Sequence, residues 1–296
     1  MNSSRLQRFA PALFVLLWST GFIVARYGTK DAGPLTFLVV RCSVSAVILF
    51  TIARLTREVR LEKRLIPVQA VVGTGIHAMY LGGVWVAINH GMPSGISALI
   101  AALHPVLTAV LGAVLLKERL SRRRICGVIL GFAGVIAVVI EHGGAGDGIS
   151  SFALGAMVIA VVGMSTGTLI QRRFAQGTPL LSGTAFQYVT TAAILSVGAI
   201  RSEHWHFEMT QRTVLSLAWS VIVLSLAAIL IMLWLLHRQA AAQVSSLFFL
   251  TPALSTVQGA LLFQEHIGAL AFIGLAIAAA GVWLATSAEK VISLQK

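Results

Sequence analysis

Arg41 is the one Lys or Arg, of 22, that falls well inside an apolar stretch of this 296-residue chain. A guanidinium within hydrocarbon is costly, so it defaults to a functional role such as solute contact or gating. The competing reading is a side chain that snorkels from near a span end. His77 and Tyr80 stand three residues apart and share a helical face. His104 lies one stretch further on, and Trp85 and Trp234 occupy similar places in two other stretches. Such polar-tipped side chains could orient a small molecule in a mostly apolar cavity, and aromatic faces can hold cations. Ser19, Thr20 and Gln243 complete the candidate cavity contacts. The bland alternatives are interhelical hydrogen bonds for the polar residues and interfacial anchoring for the tryptophans.

Pro105 and Pro252 sit mid-stretch at matching places. Each removes an intrahelical hydrogen bond and weakens the helix there, which makes them, with Arg41, candidates for hinging or gating. Glu118 and Glu265 sit at stretch ends and read as structural: each could cap the following helix or pair with nearby cations, as Glu118 with Arg122 four residues on. Gly127, Gly131 and Gly134, like Gly274, Ala278 and Gly281, put small residues on one helical face. Such faces serve scaffold contacts or a homodimer. Cys42 and Cys126 have no CxxC partner and read as small buried residues.

Several classes are disfavoured. No G-x-x-x-x-G-K-[ST] loop is present for nucleotide phosphates, and neither cofactor nor metal is expected. Gly95-Ile96-Ser97-Ala98 resembles the nucleophile segment of intramembrane serine proteases, with His77, His90 and His104 as candidate bases. That alternative needs nucleophile and base within hydrogen-bond reach. A channel would want charged rings or a carbonyl filter, and neither is legible. The charge of +12 does not imply nucleic acid, because basic connections beside membrane spans produce the same balance.

The elements that carry these residues are apolar throughout. The chain is 57% hydrophobic and 11% charged, with a mean hydropathy of +0.88. Ten runs near 9–27, 35–53, 67–88, 94–116, 123–140, 152–170, 181–200, 213–236, 241–263 and 267–286 approach the roughly 20 residues needed to cross a bilayer. No Asp or Glu lies mid-span, so proton antiport through His77 or His104, exchange and facilitated diffusion stay open. With the N-terminus inside, 17 of the 22 Lys and Arg face inside and only Arg26, Lys30, Arg201 and Arg212 face outside. That asymmetry predicts both termini in the cytoplasm.

The second half repeats the first. A shift of 147 sets Leu103 on Leu250, Pro105 on Pro252, Gly112 on Gly259, Glu118 on Glu265, Gly127 on Gly274 and Gly134 on Gly281. A shift of 146 sets Ser19-Thr20-Gly21 on Ser165-Thr166-Gly167, Arg26 on Arg172 and Arg41 on Gln187. Five spans per half make the halves face opposite ways, a ground plan of secondary transporters, whose substrate lies near the midplane.

Leu17-Trp18-Ser19-Thr20-Gly21-Phe22, Arg41, and the block from Pro105 through Leu115-Leu116-Lys117-Glu118-Arg119-Leu120-Ser121 to Gly134 resemble the EamA family of the drug/metabolite transporter superfamily. The block recurs from Thr251-Pro252 to Phe263-Gln264-Glu265. Gln264-Glu265-His266 and His104 depart from the pattern, and His104 is a candidate for substrate preference. The resemblance implies an all-α membrane protein of ten transmembrane helices in two inverted five-helix repeats, 1–146 and 147–296. It also implies a secondary transporter of the inner membrane rather than an enzyme. The partners expected are the lipid bilayer and a small-molecule substrate that is amino-acid-like, aromatic or cationic, exported by alternating access.

Overall fold

A computed structural model describes residues 3–117, 121–143, 149–228, 231, 250–265 and 268–286. Trp234, Gln243 and Glu118 lie outside the described residues. The described chain is helical. Helix α1 (Ser3–Gly28) is followed by α2 (Pro34–Leu55), whose Pro34 occupies the first turn, where its missing N–H costs nothing. A continuous rod then runs from Lys63 to Asn89: α3 (Ile66–Gly73), a π-helical segment (Thr74–Met79) and α4 (Tyr80–Asn89). The fourth span is broken into α5 (Ser94–Ala101) and α6 (His104–Leu116). Next come α7 (Arg122–Gly143), α8 (Ser151–Phe174) and α9 (Leu180–Ser202). Helix α10 (Gln211–Ala218) continues into a second π-helical segment (Trp219–Ala227). Helices α11 (Thr251–Phe263) and α12 (Ala269–Thr286) follow.

Seven of these rods are long and apolar enough to cross a membrane. Their outward faces carry large exposed apolar side chains, such as Ile129, Ile136 and Ile140 on α7, and the shorter apolar helix α12 likewise exposes Phe272 and Ile273. A soluble monomer rarely exposes a contiguous apolar surface of that extent. This is the build of a multi-pass membrane protein.

Packing joins the front of the chain to the back. Helix α2 lies on α9, α4 and the first π segment on α8, α5 on α11, α1 on α11, and α7 on α12. The α7–α12 contact has a direct cause in the small residues. A β-carbon on Gly127 would come within 2.4 Å of Ala285 N, and one on Gly281 within 2.2 Å of Gly131 N. The two glycine-rich faces expected to serve a scaffold or a dimer therefore pack on each other within one chain. Cys42 is buried as expected, but Cys126 is exposed on α7.

Helices α8 and α10 are capped locally by Ser150 and Thr210, whereas the starts of α2 and α9 are closed from across the chain. Glu203, just beyond α9, accepts from Leu35 N, Thr36 N and the Thr36 hydroxyl at the start of α2. Glu58, just beyond α2, accepts from Leu181 N, Ser182 N and the Ser182 hydroxyl at the start of α9. Carboxylates at helix N-termini satisfy orphan amides and oppose the helix dipole. The connections beside Glu203 also pair: Ala32 bridges Phe207, and Gly33 N donates to His206 O at 2.9 Å. Helices α6 and α11 end alike, with Lys117 and Gln264 left-handed at φ 56°.

Candidate functional site

The site starts from the π segment of the third span. Gly73 and Gly75 let the backbone press against neighbours: a β-carbon on Gly73 would meet Gln187 O at 2.7 Å, and one on Gly75 would meet Gly163 O at 2.6 Å. Wider π turns re-aim side chains and recur at functional sites. Here the turn carries His77, whose Nε2 lies 3.0 Å from Gln187 Oε1, and Tyr188 lies against the His77 ring at 4.7 Å between centroids. Gln187 Nε2 in turn donates to Gln69 Oε1 at 2.6 Å, and Gln69 Nε2 donates to Thr178 Oγ1 at 2.9 Å.

Arg41 is 6% exposed. Its Nε–H donates to Ser225 Oγ at 3.2 Å, and Ser225 belongs to the second π segment. The two contacts are alike: Arg41 and Gln187, 146 residues apart, each reach a π segment, Arg41 through Ser225 and Gln187 through His77.

The break in the fourth span follows from Pro105. In an unbroken helix Ala101 O would accept from residue 105, which as proline has no N–H. His104 Nδ1 fills the gap at 3.0 Å from Ala101 O, and Pro105 takes a first-turn position of α6. The His104 carbonyl is then held by Ser165 Oγ at 2.9 Å. Sequence reading expects a weakened, kinked helix; the structure has two helices instead. Pro252 likewise occupies the first turn of α11.

These elements enclose two adjoining cavities. One, of about 110 Å³, is lined by Trp18, Phe22, Arg41, His77, Tyr80, Trp85, Tyr188 and Leu224 among others. The other, of about 30 Å³, shares Trp18, Phe22 and Tyr80 and adds His104, Pro105 and Pro252. Trp85 is 1% exposed and stacks on Phe37 at 4.7 Å, so it is a cavity wall rather than an interfacial anchor.

The EamA-like transporter family profile matches residues 9–140 and again residues 151–287. The chain belongs to this family. It is 24% identical over 293 residues, 95% of each chain, to an Escherichia coli protein named "Probable amino-acid metabolite efflux pump". It is 28% identical over 136 residues to a Streptantibioticus cattleyicolor protein named "Probable terminal-alkyne amino-acid exporter", covering 46% of this chain and 45% of that one. A solved crystal structure, 21% identical, shares the fold with a TM-score of 0.65 over 94% of this chain and 95% of the other.

Within this EamA-like chain, Arg41, His77, Tyr80, Trp85, His104, Pro105 and Pro252 converge on the two cavities. Ser19 and Thr20 do not line them. Ser19 is buried in the α1–α11 contact, where its hydroxyl accepts from Gln258 Nε2 and its carbonyl accepts from Ser255 Oγ. Thr20 Oγ1 accepts from Trp219 Nε1 at 3.0 Å. Trp18, Phe22 and Tyr188 were missed by sequence reading, although the first two flank the Ser19-Thr20 pair it singled out. Among the described residues Ser97 is buried without a hydrogen-bond partner, so none of His77, His90 and His104 contacts its hydroxyl as a protease base would.

One end of the EamA-like bundle is latched. Glu265 accepts from Arg26 and from Ser94 N and Gly95 N at the start of α5. The Arg26 guanidinium lies 4.6 Å from the Phe263 ring centroid, and Phe263 packs on Tyr27. Sequence reading has Glu265 capping the following helix or pairing with nearby cations; it pairs with Arg26, and the helix that it caps is α5, earlier in the chain.

Proposed function

We propose that this protein is a secondary exporter of small metabolites that works by alternating access. Its ten spans would form two inverted halves, 1–146 and 147–296, in the inner membrane with both termini cytoplasmic. The observation that carries the reading is the central cavity, walled by helices of both halves and crossed by the paired contacts Arg41–Ser225 and His77–Gln187. Inverted halves place a substrate between them near the midplane.

Three further features support the inversion. Glu58 and Glu203 cap each other's partner helices. The two π segments begin at Thr74 and Trp219, nearly one repeat apart. The family profile matches once in each half. The span broken at Pro105, and Pro252 in the first turn of α11, fit hinges that let one end open while the other closes. Of the solutes expected, the amino-acid-like and aromatic classes suit an aromatic-walled cavity better than a cation does, since Arg41 lines it.

Reciprocal labelling tests the mechanism. In a Cys42→Ala/Cys126→Ala background, Ser94→Cys reports one end of the bundle and Ser182→Cys the other. Proteoliposomes would be given amino acids and aromatic acids on one side. Alternating access requires saturable counterflow, with labelling that rises at one end as it falls at the other. Flux with both ends reactive together, as in a channel, would sink the reading.

A further inference from the structure

The chemistry of the central cavity narrows what it can hold, provided that the cavity is the transport site proposed above. Arg41 is more than nine-tenths buried and lines it. Among the described residues, its one hydrogen-bond partner is the neutral Ser225 hydroxyl, which accepts from Nε–H. Among the described residues no carboxylate pairs with the group, and residues 3–28, 34–55, 66–89, 94–116, 151–174, 180–202 and 211–263 contain no Asp or Glu. Apart from the His77 imidazole, the remaining walls are aromatic and aliphatic, among them Trp18, Phe22, Tyr80, Trp85 and Leu224. A buried charge is retained only when something compensates it. The described residues supply no counter-charge, and the planar fork of an arginine matches a carboxylate.

We propose that the cavity binds solutes bearing a single carboxylate on an apolar or aromatic body, with Arg41 receiving the carboxylate. A cation in the same place would meet the Arg41 charge and find no acidic partner.

The test uses isosteric probes on the purified full chain. Benzoate, phenylacetate and 3-phenylpropionate are compared with their amides and amidines by thermal stabilisation and equilibrium binding. The carboxylates are expected to bind about tenfold or more tightly than the amides, with no binding by the amidines. Arg41→Gln is expected to erase the preference, leaving acid and amide equal, and Arg41→Lys to keep part of it. Amidines binding as well as acids, no acid binding at all, or an acid preference intact in Arg41→Gln would each overturn the inference. If Arg41→Gln does not fold, the wild-type probe series decides alone. Failure here leaves the transporter reading untouched, because reciprocal labelling tests that separately.

Discussion

Glu58 accepts two hydrogen bonds from Ser182, one from the backbone N–H and one from the hydroxyl, and so ties the end of α2 to the start of α9. Burial alone would push the Glu58 carboxyl up. The hydrogen bonds from Ser182, Leu181 and Leu180 outweigh it and hold the group below its ordinary 4.5. A depressed folded-state value gives stability that is fully present above the ordinary value and is lost as pH falls through the folded one. Glu58→Ala is therefore expected to cost about 1 kcal/mol at neutral pH, the worth of a helix cap. The gap to wild type, followed by thermal unfolding in detergent, should close as pH falls below about 4. A gap that stays constant into acid would contradict the charged cap.

The α7–α12 seam separates two kinds of glycine. A β-carbon on Gly127 or Gly134 would lie 2.4 or 2.5 Å from backbone nitrogen of α12, whereas one on Gly131 has its nearest neighbour at 3.5 Å, a leucine methyl. Gly127→Ala and Gly134→Ala are expected to destabilise by about 1–3 kcal/mol, as overpacking does, and Gly131→Ala to be close to neutral. Melting temperatures of the three variants, measured side by side, give the ranking.

His104 and Pro105 should be energetically coupled. His104→Ala strips the Ala101 carbonyl of its donor, at about 1 kcal/mol. In a Pro105→Ala background a backbone N–H becomes available to the same carbonyl, so the His104→Ala penalty should shrink. A double-mutant cycle reads the coupling directly; additive losses would show that His104 does not substitute for the missing amide.

The latch at Glu265 should govern access to its end of the bundle. Glu265→Gln removes the charge that holds Arg26 and the α5 amides. Loss of about 1.4 kcal/mol of latch energy raises the open population about tenfold. Labelling of Ser94→Cys by an impermeant thiol reagent, with Cys42 and Cys126 replaced, is expected to accelerate by that order. An unchanged rate would mean that other contacts hold this end shut.

Much of this molecule is legible in the residue order, because a bilayer writes its thickness into the length of apolar runs. The seven long apolar rods, and Pro105 and Pro252 at the starts of α6 and α11, follow from such patterns. The partners of Arg41 and His77 do not. Nothing in Thr74–Met79 or Trp219–Ala227 announces a π turn, since the pattern of apolar residues looks the same in a tighter helix, yet that turn decides which way His77 and Ser225 point. Ser19 and Thr20 misled for a related reason: a short hydroxyl in a span suits a helix–helix contact as well as a cavity wall. Glu58 and Glu203 stand 145 residues apart in matching places, a signal that could have found the reciprocal caps.

Those caps bear on the order in which the chain is made. Leu35 and Thr36 leave the ribosome long before Glu203, their acceptor. During synthesis the second span must therefore enter the lipid with its first amides turned to water or headgroups, and it gains its final seat only after the seventh span has crossed. A gene cut between residues 146 and 147 would deliver two polypeptides, each missing the carboxylate that closes one of its helices and each carrying the one its counterpart lacks. Such fragments should survive in cells only when produced together.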